Sequence, residues 1–214
     1  MFRKSLTLNK LARRAGLAAA LAAFVAMMVV PATGAAKSPV KFGSKLNPTV
    51  QPSNSLPGYD CILPGACTMV QDEAYGRPDG GHIAPKSGRI KVIRVIAGGP
   101  GVFRPQIVKV RHSDSTLLAD TKAKVIRAGR KLYHQGQSEA NWETDRYKVE
   151  KFRVNIPIKK GQQLALRGSS TSMIRCSSGG HNTLVFAPAL RKRTPYEGAD
   201  DASGCWILME AVIR

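Results

Sequence analysis

The chain has 214 residues, with 33 Lys and Arg against 14 Asp and Glu, four Cys, and 43% apolar but only 6% aromatic residues. These proportions exclude a collagen, a disordered acidic tail and a multi-pass membrane protein. Setting aside the first 36 residues, with five cations and no acid, leaves 28 cations against 14 acids, a formal charge of +14. The remaining length suits one domain, which at this size removes roughly 70% of its unfolded surface from water.

Arg3, Lys4, Lys10, Arg13 and Arg14 precede Ala15 to Val30, sixteen residues without charge, and then Pro31 and a string of small residues to Ala36. This is the order of a secretory signal. A spanning helix needs about 20 apolar residues, so the run predicts a signal helix at 1–36 that is cleaved near Ala36 rather than a lasting anchor. Arg13-Arg14 stands where a twin-arginine leader has its pair, without the usual flanks, and the export route stays open. The expected location is secreted or extracytoplasmic, associated with the cell envelope.

Residues 37–58 carry Pro39, Pro48, Pro52 and Pro57 without a sustained period, and read as an extended lead-in to a domain over 59–214. In an oxidising compartment, four cysteines favour two disulfides over a metal site. Cys61 and Cys67 flank a short loop containing Pro64-Gly65, which leaves Cys176 and Cys205 as the second expected pair among the three possible connectivities. A zinc site would call for Cys-x-x-Cys spacing or a set of histidines, and no metal or cofactor is implied.

Short apolar stretches separated by Gly, Pro and Asn follow. The clearest is Phe152, Val154, Ile156 and Ile158 alternating with polar or Pro positions, which places apolar groups on one strand face. Further strands are expected at 68–71, 89–97, 106–111, 122–127, 162–167, 183–187 and 205–213, the last with a helical alternative. Between Arg89-Lys91 and Arg94 the phase slips by one residue, which predicts a bulge or a strand buried on both sides. The reading is an all-β antiparallel β-sandwich of jelly-roll type.

Ala84-Pro85-Lys86-Ser87-Gly88-Arg89-Ile90, the stretch from Ile156 through Lys160-Gly161-Gln162 to Leu166, and the closing 208–213 carry a resemblance. Together with the early Cys loop, this segment resembles a group of exported bacterial β-sandwich proteins over roughly residues 59–213. The resemblance implies a sandwich and no established activity. Gln162 stands where such proteins often place an acid, and the chain has no acidic tail after Arg214, so calcium binding is not implied.

The strongest chemical feature is the placement of cations. Twelve Lys or Arg and two acids lie between Lys86 and His134. Lys109 with Arg111, and Lys122 with Lys124, alternate along strands, so that neighbours stand about 6.6–7 Å apart on one face. With Lys91, Arg94 and Arg127 they make a candidate polyanion-binding set, matched to an anionic polymer of the cell envelope or a membrane surface. The bland alternative is a solvated face that keeps copies apart. Arg191-Lys192-Arg193 adds a separate basic loop. Sequence-specific nucleic-acid recognition would call for a groove-reading helix or paired stacking aromatics, and neither is evident.

A second constellation is the loop 133–148, in which Tyr133, Trp142 and Tyr147 stand among amides and form a carbohydrate-binding alternative; the competing expectation is that Trp142 or Tyr147 plugs the core. Trp206 is expected in the core. A hydrolase is the weakest alternative: His82, His112, His134 and His181 lie apart, and no nucleophile-elbow, zincin or phosphate-loop pattern occurs.

Overall fold

The computed structural model describes residues 38–46, 65–71, 81–112, 120–137, 147–169 and 174–214, with 177–182 and 203–205 described by their backbone. The expected leader, Cys61 and Trp142 lie outside these residues.

Alternation does at β7 (Val149–Ile158) what its period requires. Ile156 and Ile158 are buried, Phe152 and Val154 pack against the same core, and Arg153 and Asn155 face water. β7 forms one edge of a four-stranded antiparallel sheet that continues through β3 (Gly88–Ile96) and β12 (Met209–Ile213) to β1 (Val40–Gly43). Both ladders of β3 shift register between Ile90 and Val92, where the sequence slips phase.

The larger antiparallel sheet runs in the order β10 (Glu197–Gly198), β5 (Lys122–Ala128), β4 (Gly101–Arg111), β8 (Gln163–Ser169), β2 (Ala66–Gln71), β9 (Cys176–Phe186) and β11 (Asp201–Ile207). A short β6 (Leu132–His134) shares one edge of β4 with β5: β6 pairs with residues 101–103 and β5 with 106–111. The fold is thus an all-β sandwich of two antiparallel sheets.

Three expectations are corrected. Residues 37–58 are not an extended lead-in throughout, because β1 lies within them and covers the edge of β12. Phe42 is buried there, and Gly43, at φ +103°, lies so close to the Met209 carbonyl that a Cβ would collide with it. Residues 205–213 are neither helix nor one strand: β11 belongs to the large sheet, β12 to the small one, and the chain passes between them at Leu208. That residue is buried, donates its N–H to the Arg175 carbonyl at 2.9 Å and accepts from Ile96 N–H at 3.1 Å. Finally, the aromatic loop begins in β6 instead of being loop throughout.

The main core lies between the sheets and includes Ile93, Val95, Phe103, Ile107, Leu166 and Met209. A second cluster, with Val70, Val108, Leu184, Phe186 and Leu190, covers the outer face of the large sheet. There the segment at 187–199 folds over the strands, pinned by a closed buried network. Thr68 Oγ1 donates to Gln106 Oε1 (2.9 Å), Gln106 Nε2 donates to the Leu190 carbonyl (3.0 Å), and Leu190 N–H donates to Thr68 Oγ1 (3.0 Å). Each of these buried polar atoms has a partner, so the network costs little and fixes the loop that carries Arg191, Lys192 and Arg193.

Candidate polyanion-binding face

Cross-strand register turns the two alternating cation pairs into one patch. Lys109 stands directly opposite Lys124, and Arg111 directly opposite Lys122. Directly opposed residues share a sheet face, and so do residues two apart on a strand. All four cations therefore emerge from the same side of the β4–β5 ribbon; Lys109, Arg111 and Lys122 are exposed and Lys124 is half-buried. Tyr196 sits among them, with the Arg111 guanidinium carbon 4.0 Å and Lys124 Nζ 4.7 Å from its ring centroid. The electron-rich ring face draws two like charges together. Among the described residues, no ion pair joins any of the four to a carboxylate.

Arg127 extends the patch. The β4–β5 ladder shifts register between Ile107 and Val108, so Arg127 stands opposite Ile107. Its exposed side chain borders a cleft of about 400 Å³ shared with Arg130, Lys192, Asn155 and Pro157. Gly129 lets the chain pass close beneath: its N–H donates to the Pro105 carbonyl at 2.8 Å, and a Cβ there would fall 2.8 Å from both Pro105 and Ile156. Across the cleft, Asn155 Oδ1 accepts from Arg89 Nε (2.6 Å) and Lys91 Nζ (2.8 Å). Lys91 thus stands beside the cleft on the small sheet, and Arg130 donates to the Arg153 carbonyl at 3.3 Å. Among the described residues, no acid lines this cleft.

Arg94 departs from the expected set. Its Nη1 lies 2.6 Å from Glu210 Oε1, and Lys41 Nζ lies 3.9 Å from the other carboxylate oxygen. β12 runs beside β3 and places Glu210 directly opposite Arg94, so the charge is spent inside the sandwich edge. Of the two expectations for the aromatic loop, the core plug describes Tyr147. Tyr133 is 70% exposed, but Tyr147 is buried with Leu46, Ile96 and Leu208, and its ring lies 4.7 Å from the Arg175 guanidinium. A ring enclosed in this way cannot stack on a sugar. Trp206 is in the core, as expected, with its ring edge-on to His82.

Cys67 and Cys176 are buried, and neither is a free thiol. Cys61 and the Cys205 side chain lie outside the described residues. By backbone register, Cys205 opposes Ser178 and Ile207 opposes Cys176, so positions 176 and 205 lie diagonally on adjacent strands.

The buried histidines are built as structural groups. His82 is wholly enclosed, with Nε2 3.2 Å from Ser44 Oγ and Nδ1 3.3 Å from the Leu164 carbonyl, while Ser44 Oγ donates to the Ile207 carbonyl. Burial drives its pKa down to about 4, partly opposed by the backbone at Leu164 and Ile207. This Ser–His contact has the elements of a nucleophile and base, but both residues are shut inside the core, where no substrate reaches them. His134 is likewise buried and lowered, by desolvation against the backbone at Gly99 and the Glu150 carboxylate. The His181 side chain lies outside the described residues. Among the described residues, no three His, Cys, Asp or Glu gather as a metal-binding group.

Sequence reading counts Arg130 among the twelve cations but leaves it out of the candidate set, and it assigns no site role to Asn155 or Tyr196; all three reach the patch through the folded pairing of the strands. Lys192 it flags only as part of a separate basic run; a bridge to Val125 brings that run beside β5. No family model, curated protein or solved structure matches the chain.

Proposed function

We propose that this is a non-enzymatic, exported protein that binds an anionic polymer of the cell envelope through the basic face of β4 and β5 and the adjoining cleft. The observation that carries the reading is the direct opposition of Lys109 to Lys124 and of Arg111 to Lys122. Like charges facing each other across a ladder destabilise a sheet, and a bound row of anions removes that cost. The spacing supports a linear partner, since successive cations on one strand stand about 6.6–7 Å apart and the two strands about 4.8 Å apart. At physiological ionic strength the field decays within about 8 Å, so affinity comes from contact. Export is inferred from the leader, and in that setting Cys61–Cys67 and Cys176–Cys205 disulfides are part of the same proposal.

The test is retention of the purified protein on immobilised polyphosphate over a salt series. Wild type is expected to elute steeply with salt, and the Lys109→Gln/Lys124→Gln double variant to lower the logarithmic salt slope by about two. A flat salt dependence, or an unchanged slope in the double variant, overturns the proposal.

A further inference from the structure

We infer that the cleft between β4, β8 and the start of β2 is a second site, which binds a phosphate group as a compact dianion through Arg104, Arg167 and Lys131, with Arg191 at its edge. Arg104 and Lys109 project from opposite faces of β4. The odd-numbered Phe103 and Ile107 enter the core between the sheets, whereas Gln106 and Val108 join the outer cluster. Arg104 therefore belongs to the outer face, remote in direction from the Lys109 rows.

Register again places like charges together, since Arg104 stands directly opposite Arg167 in the β4–β8 ladder. The two guanidiniums and Lys131 line a cleft of about 350 Å³ together with Ala66, Val102 and Gly168. Among the described residues, no acid lines it and none of Arg104, Lys131, Arg167 or Arg191 enters an ion pair. Burial, then Arg104, then Arg191 lower the Arg167 pKa, yet a guanidinium stays charged in a protein. The repulsion therefore falls on the fold until an anion arrives.

The ligand class follows from the donors. Guanidinium forks match the oxygens of phosphate in bidentate pairs. Converging cations of this number exceed what one carboxylate offsets, whereas a phosphate dianion presents enough acceptor oxygens to meet several forks at once. The loop bearing Arg191 is held by the Thr68–Gln106–Leu190 network, so the site is assembled in advance, which lowers the ordering cost of binding.

The experiment is calorimetric titration and thermal melting of the purified protein with inorganic phosphate and, separately, phenyl phosphate, each against chloride at matched ionic strength. Saturable one-site binding with a rise in melting temperature is expected. Tighter binding of phenyl phosphate identifies an esterified phosphate as the preferred form, and equal binding identifies the free anion. Arg167→Gln is expected to weaken phosphate at least tenfold and, by relieving the opposed charges, to raise the ligand-free melting temperature by roughly 1–3 °C. Lys109→Gln/Lys124→Gln should leave the phosphate response intact, so failure of this site is distinguishable from failure of the polymer face. Absence of saturable binding, or an undiminished phosphate response in Arg167→Gln, overturns the inference.

Discussion

Acidification weakens this fold at His82. The ring is enclosed between the Ser44 hydroxyl, the Leu164 carbonyl and the edge of Trp206, so the folded chain resists protonating it until about pH 4, whereas an imidazole in the unfolded chain takes up its proton near the ordinary 6.5. The unfolded state therefore binds the proton first. Stability from the neutral ring is complete above pH 6.5, declines as the pH falls towards 4, and changes no further below that. The gap corresponds to about 3 kcal/mol, a substantial part of a typical domain stability of about 5–15 kcal/mol. Urea unfolding from pH 7.5 to 4, on wild type and His82→Gln, measures it. The variant is expected to start less stable and to lose less on acidification, because carboxylates and His134 titrate alike in both proteins. Parallel stability curves would refute the reasoning, as would an imidazole C2 proton of His82 titrating near 6.5 in the folded protein by NMR.

The Arg94 and Lys109 roles separate by substitution. Arg94→Gln is expected to leave the salt dependence on polyphosphate unchanged while costing about 1–3 kcal/mol in urea unfolding, because Glu210 loses its close partner. Leu190→Ala opens the fully buried outer cluster and is expected to cost about 2–4 kcal/mol by the same measurement. Thr68→Val strands Leu190 N–H and one acceptor of Gln106, with an expected loss of about 2 kcal/mol and faster amide exchange at Leu190. Tyr196→Leu removes the ring shared by Arg111 and Lys124; polyphosphate retention at fixed salt is expected to weaken severalfold without a change in fold by circular dichroism.

Strand identity and the direction of each side chain within a strand are local matters, set by backbone alternation over two residues. For that reason Phe152 to Ile158, the pairing of Lys109 with Arg111 on one face, and the phase slip near Lys91 were legible in the amino-acid order. Which strand lies beside which is decided by packing and closure across long separations. The amino-acid order carried no sign that Glu210 would neutralise Arg94, that Leu46, Ile96 and Leu208 would be the residues enclosing Tyr147, or that β11 and β12 would part at Leu208. Composition supplied an excess of cations, but only register made Lys109 face Lys124 and Arg104 face Arg167. Period travels with the chain, whereas opposition across a ladder exists only once two distant segments have bonded in one particular alignment.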